Sequence, residues 1–406
     1  MSIFTVEIVR FGEFGRSTSA ILELPATSME YSDAMQKARI IDDMVIYSYE
    51  FLYCKHDWLR PHIPENGNLL ELNLLATRME YIKDDLDIFK AIVKMDAEQN
   101  SYETTPLSRL INLTLSIDNC HVASGIKNDV MLGEFLYEGD FIEDKDADMI
   151  ERWRSINRPV DGLFELLGKV HRERRGGVFT DSGLYVEYDS GMISEVYIPG
   201  EMHYISLTEK PVALTLSKDY FNDPGYDNNL QVTLNLPATD KEIINTIDTV
   251  AAASFKEITY SCKDCLIPIA KEWIDNAQDL WQVNKFAKAL DYIKDINYVK
   301  EYKALLEAAD CDNLNDALHL TDDIEVYQLV TECAGPEDYG WEEFTRQMLS
   351  GNIPEGISEY IDYHRYGKAL MEKNNVVYTS YGALSRTDGG PILSQTEIPG
   401  MNMEMR

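Results

Sequence analysis

The chain holds 406 residues, 45% of them apolar and 26% charged, enough apolar material for two or three packed domains. Its 70 Asp and Glu against 37 Lys and Arg leave a net charge of −33. That excess excludes binding to nucleic acid through its phosphates, which needs a basic surface, and disfavours an anionic membrane.

Residues 1–208 hold 36 acids and 20 bases, and residues 209–406 hold 34 and 17. The excess therefore belongs to both halves rather than to a tail, and self-repulsion on this scale points to a cationic partner. No apolar run approaches the roughly 18 residues of a membrane span. The start Met1-Ser2-Ile3-Phe4-Thr5-Val6-Glu7 lacks the regions of a signal peptide, so a cytoplasmic location is expected. Six scattered cysteines (Cys54, Cys120, Cys262, Cys265, Cys311, Cys333) suit a reducing compartment.

The alternation from Ile3 to Val9 predicts a strand, and a second strand ends at Pro25. Leu22-Glu23-Leu24-Pro25-Ala26-Thr27 returns as Leu234-Asn235-Leu236-Pro237-Ala238-Thr239, and Tyr81-Ile82-Lys83-Asp84 returns as Tyr292-Ile293-Lys294-Asp295, at offsets of 212 and 211. Two matches at nearly one offset predict an internal repeat, with Val212 to Leu216 as the opening strand of the second copy. Leu75, Met79, Ile82, Leu86, Phe89 and Val93 recur at three- and four-residue steps and predict one buried helical face. Phe286, Leu290, Ile293, Val299, Tyr302 and Leu306 do the same in the second copy. Weaker echoes pair Gly133 to Phe141 with Gly335 to Phe344, and His171-Arg172 with His364-Arg365. Gly183 to Tyr188 and Val376 to Tyr381 read as closing strands. The segment from Tyr188 to Pro211 reads as either a last hairpin or a structured linker.

The predicted fold class is thus α+β, a tandem repeat of strands, helices and strands. Repeat one covers 1–208, with a helical part at about 60–130 and an acidic α/β part at about 131–208; repeat two covers 209–390, and 391–406 form a flexible tail.

Little in the chain suggests catalysis. Cys262-Lys263-Asp264-Cys265 has metal-like spacing but no second pair of ligands to complete a tetrahedral site. Cys120 and His121 are adjacent, which on a strand sends them to opposite faces. No phosphate-binding Gly-Lys-Ser/Thr loop, dinucleotide fingerprint, nucleophile elbow or zinc-binding HExxH helix is present. Arg172, Arg174 and Arg175 form the one basic cluster and are expected to neutralise nearby acids. No enzymatic activity, cofactor or metal is expected.

The carboxylates late in each half stand out. Glu134, Glu138, Asp140, Glu143, Asp144, Asp146, Asp148 and Glu151 face one base, Lys145. From Glu307 to Glu343 there is no Lys or Arg, while Asp310, Asp312, Asp316, Asp322, Asp323, Glu325, Glu332, Glu337, Asp338, Glu342 and Glu343 are interleaved with Tyr327, Tyr339 and Trp341. The plain reading is a solvated acidic face. The functional reading is a surface that imitates duplex DNA: at one charge per roughly 1.7 Å of axis, the excess matches about 55 Å, or roughly 16 base pairs.

Tyr360-Ile361-Asp362-Tyr363-His364-Arg365-Tyr366-Gly367-Lys368-Ala369-Leu370, followed by a short strand, resembles the end of ArdA-type antirestriction proteins of conjugative elements, as do Asp310-Cys311-Asp312, Glu342-Glu343-Phe344 and Pro354-Glu355 upstream. The resemblance covers about 209–390; in repeat one, Gly168-Lys169-Val170-His171-Arg172 lacks the Asp-Tyr and Tyr-Gly elements. It implies an elongated protein of small α/β subdomains flanking a helical one, which occupies the basic DNA-binding groove of Type I restriction–modification enzymes through the carboxylates named above. Family members are single copies that dimerise; two copies in one chain imply a pseudo-dimer, as monomer or homodimer. The same charge would suit another DNA-binding defence protein, such as a CRISPR effector, or an acidic interaction protein of another kind.

Overall fold

The computed structural model describes residues 2–11, 17–40, 45–189, 191, 193–200, 209–218, 231–254, 257–277, 279–351 and 356–392. The chain is a mixed α+β protein, with fourteen α-helices and four three-stranded sheets among these residues. It divides into two compact units. One takes Met1–Val6, Glu23–Pro25 and Tyr49–Tyr204; the other takes Glu7–Leu22, Ala26–Ser48 and Ile205–Arg406. The division thus has one break between Tyr204 and Ile205 and others within the N-terminal segment.

The first sheet has the order β2-β1-β3, from β1 (Phe4–Phe11), β2 (Ser17–Leu24) and β3 (Tyr47–Cys54). Phe4, Val6 and Ile8 turn inward at the predicted period of two, and β2 ends at Leu24, before Pro25.

In the first unit, three helices follow: α2 (Leu69–Tyr81), α3 (Leu86–Asn100) and α4 (Leu107–Leu115). The periodic stripe is core, with Leu75, Met79, Ile82, Phe89 and Val93 buried and Leu86 half-buried. It is not one helix, however. The polar stretch Lys83-Asp84-Asp85 ends the first segment, and α3 restarts after Asp85, so the stripe is shared between two helices. Asp96 on α3 is fully buried and holds Arg109 of α4 at 2.6 Å.

A second sheet, antiparallel and in the order β4-β6-β5, is built from β4 (His121–Ser124), β5 (Val178–Phe179) and β6 (Leu184–Glu187). Between β4 and β5 lie α5 (Asp129–Glu138), α6 (Asp144–Ser155) and α7 (Asp161–Arg175). Residues 193–200 are neither hairpin nor helix. They strap back onto α4, where the buried Asn112 side chain donates to the Tyr197 carbonyl at 3.0 Å and accepts from its amide at 2.7 Å.

In the second unit, α1 (Ser28–Lys37) starts with a capping box. The Thr27 hydroxyl accepts from the Glu30 amide, and the Glu30 carboxylate accepts from the Thr27 amide. A third sheet has the antiparallel order β8-β7-β9, from β7 (Val212–Lys218), β8 (Val232–Leu236) and β9 (Ile258–Cys265). Helix α8 (Asp240–Thr249) repeats the capping box at Thr239 and Glu242. The peptide bonds preceding Pro25 and Pro237 are both cis.

Five helices follow: α9 (Ala270–Asp275), α10 (Leu280–Asp295), α11 (Val299–Ala308), α12 (Leu314–His319) and, after β10 (Tyr327–Val330), α13 (Pro336–Leu349). The second stripe is again core split between helices, α10 and α11, with Asn297 at φ 62° between them. Then come α14 (Tyr363–Lys373), β11 (Val377–Thr379) and β12 (Gly382–Arg386), which closes an antiparallel sheet of order β10-β12-β11. The predicted tail from residue 393 onward, and Pro354-Glu355, lie outside the described residues. No helix among the described residues is long and apolar enough to cross a membrane.

Candidate functional site

In each unit, a pair of helices that touch through glycine sets the direction of the acidic segment. A Cβ at Gly133 on α5 would lie 2.6 Å from the Phe164 carbonyl carbon of α7, and one at Gly168 would lie 2.8 Å from that of Asp129. On α13 and α14, a Cβ at Gly340 would be 2.8 Å from the Gly367 amide, and one at Gly367 would be 2.7 Å from the Pro336 carbonyl carbon. Only hydrogen at these four positions permits such backbone approach. Gly133 and Gly340 make similar backbone approaches, whereas Gly335 is an N-cap. His171-Arg172 follows Gly168 on α7, and His364-Arg365 precedes Gly367 on α14.

In the first unit, Glu134 and Glu138 stand exposed on α5, Asp140 follows at φ 59°, and Glu143 immediately precedes α6 without a side-chain capping bond. Asp144 and Asp146 sit in the first turn of α6, with Arg152 and Arg154 in its last, an order that suits the helix dipole. Asp148 and Glu151 are exposed further along it. Lys145 meets Glu143 at 2.6 Å and lowers its pKa, but both side chains are in water, where such a pair contributes little. The Arg172 guanidinium grips Asp129 with two bonds of 2.8 and 3.0 Å, and Arg175 pairs with Asp189, so two members of the basic cluster are spent on local acids, as expected.

In the second unit, Asp310 sits at φ 49° after α11, and Asn313 donates to both Asp312 and Asp316 at 2.8 Å. Asp322, Asp323 and Glu325 are exposed, with Tyr292 donating to Glu325 at 3.1 Å. Glu337 and Glu342 are exposed on α13, and Glu343 is paired with Arg346. Asp338 departs from the expectation of a solvent-facing carboxylate. It is 6% exposed and accepts the Ala334 amide at 2.8 Å, because the third position of α13 turns it back over the helix start.

Two arrangements have no signature in the sequence. The first is an open cleft of about 530 Å³ beside α5, rimmed by Phe135 and Phe141 and floored by Leu132, His171, Tyr185 and Glu187. Tyr185 donates to Glu187 at 2.8 Å and His171 meets the same oxygen at 2.8 Å; burial and Glu187 push the Tyr185 phenol well above its usual range. Cys120 and His121 both line this cleft, Cys120 half-buried with its thiol pushed up to about 11 by burial and His121 exposed.

The second is an ionic network that ties α1 to the C-terminal half within the second unit. Asp33 accepts from Lys303 at 2.6 Å, Lys37 at 3.0 Å and Tyr381 at 2.9 Å, and Lys303 and Asp33 are almost fully buried. Thr27 and Ser28 donate to the buried Asp264 at 2.7 and 3.2 Å. The register shift between Ala213 and Leu214 places Cys262 and Cys265 both in the interior, which a regular strand would not do. Among the described residues, no cluster of His, Cys, Asp or Glu is arranged to hold a metal. Compared with known proteins, the chain matches no family model and no curated protein.

Proposed function

We propose that this chain is an acidic mimic of duplex DNA that fills the basic DNA-binding groove of a Type I restriction–modification enzyme, as a tandem of two ArdA-like copies. The observation that carries the reading is the exposure of the late carboxylates. Of those named from the sequence, all but Asp338 reach solvent, Glu143 beside Lys145 and Glu343 beside Arg346. Carboxylates fixed on helices offer a basic groove the charge of DNA without its flexibility, and the association stays salt-dependent through counterions on the groove.

The tandem reading draws support from the two opening sheets with the first strand central, the paired capping boxes at Thr27 and Thr239, and the glycine-contact helix pairs. Each half also has a closing sheet with its last strand central.

Competition tests it. The purified chain is titrated into a complex of labelled duplex and a Type I restriction–modification enzyme at low and raised salt. Displacement near one chain per DNA site, weakening steeply with salt, is the expected result; no displacement at low salt would refute it.

A further inference from the structure

Among the described residues of the second unit, one buried charge has no counter-charge. Arg39 follows α1 in the left-handed conformation, at φ 61°, and is 3% exposed, yet none of its three guanidinium nitrogens makes a hydrogen bond. The Tyr378 hydroxyl and the Cys333 thiol are the polar groups beside the guanidinium among the described residues, and neither carries a fixed negative charge. Burial depresses its pKa below the ordinary value, as expected of a cation lacking a partner. A buried, unpaired charge is among the most destabilising features a fold can retain, and in a chain of 70 acids a partner would have been easy to supply.

Arg39 lines a cavity of about 40 Å³ together with Arg10, Lys300, Gln36, Thr331 and Glu332. Arg10 is held there by a bond of 3.2 Å from its guanidinium to the Arg39 carbonyl. Among the described lining residues, three cations against one carboxylate make this a positive pocket in a strongly negative protein. At roughly 10–15 Å³ per water the cavity holds about three waters, the size of one tetrahedral oxyanion and too small for the body of a nucleotide. A planar guanidinium suits two oxygens of such an anion, and Glu332 favours an anion that carries a proton to donate.

We propose that this cavity is a binding site for inorganic phosphate, gripped by Arg39 and completed by Arg10 and Lys300. It is independent of any groove-binding role of the acidic faces.

Thermal unfolding of the full chain in sodium phosphate, sodium sulfate and sodium chloride at matched ionic strength tests it. Phosphate at a few times its dissociation constant should raise the midpoint by about 2–4 °C over the other salts. The increment should vanish in the double variant Arg10→Gln, Lys300→Gln, whose positions are only half-buried and which should fold. Arg39→Met should also be indifferent to phosphate and, freed of its unpaired charge, no less stable than the parent in chloride. Phosphate that stabilises no more than sulfate or chloride, or that stabilises the double variant equally, overturns the proposal.

Discussion

Replacing Gly367 by Ala should uncouple α13 from α14. The new methyl would fall inside the Pro336 carbonyl oxygen, 2.7 Å from its carbon and 2.8 Å from the Gly340 amide, where ordinary contact starts at 3.4 Å. The helices must part by more than about 0.7 Å, and the obstacles are backbone, which no rotamer change can move. Overpacking of this kind costs about 3 kcal/mol at the upper end, and the gain in helix propensity from Gly to Ala returns about 1. The net loss is about 2 kcal/mol, on the order of 4–8 °C in a unit of this size. Gly168→Ala in the first unit should behave alike, since its methyl would lie 2.8 Å from the Asp129 carbonyl carbon. Gly162→Ala on α7 is the control of opposite sign: nothing lies within 4 Å of its Cβ, so it should be neutral or stabilise by about 0.5 kcal/mol. Urea unfolding followed by circular dichroism reads all three. A Gly367→Ala midpoint equal to that of the parent would refute the claim that glycine contact sets the course of the acidic helix.

Lys303→Met leaves Asp33 buried with Lys37 and Tyr381 alone and should destabilise the second unit by about 3–5 kcal/mol, while Lys303→Met with Asp33→Asn should cost less than the single change; additive costs in a double-mutant cycle would contradict the coupling. Burial lowers the pKa of His56 and His62, so the folded state binds fewer protons than the unfolded one. Stability should therefore fall as pH drops below about 6.5, checked by urea midpoints at pH 8 and pH 5.5 in the parent and in a His56→Gln, His62→Gln variant, where the drop should shrink. In the competition assay, Asp322→Lys with Asp323→Lys should weaken binding modestly, whereas reversing five or more exposed acids between Asp310 and Glu343 should weaken it greatly and flatten the salt dependence. A single Glu→Gln change that removed all activity would speak for catalysis instead.

Local patterning made much of the architecture legible. The period-two run at Phe4, Val6 and Ile8 and the apolar stripes are properties of neighbouring residues, and each lies where the sequence places it, whereas the Thr27 and Thr239 caps emerge only from the structure. The splitting of each stripe between two helices was not visible, because periodicity persists through a short polar break when both helices bury the same core. The exposed carboxylates were readable by composition, but the inward turn of Asp338 depends on where α13 begins, a boundary that a single Pro336 only suggests. Least legible were contacts between distant positions: Asp33 with Lys303, the strap of Tyr197 on Asn112, and the isolation of Arg39. Each depends on which segments meet, which no local spacing encodes.

The ionic attachment of α1 bears on how the chain is made. Asp33 leaves the ribosome long before Lys303 and Tyr381, its partners across 270 and 348 positions. At about 5–20 residues per second, the wait for Tyr381 lasts roughly 17–70 s. During that interval α1 presents an undocked face and a carboxylate held by Lys37 alone, and the second unit can close only once translation is nearly complete. A cut at residue 208, the boundary suggested by the repeat, would strand Asp33 on one fragment and bury Lys303 without its counter-charge on the other, so the second unit is expected to assemble only from the intact polypeptide.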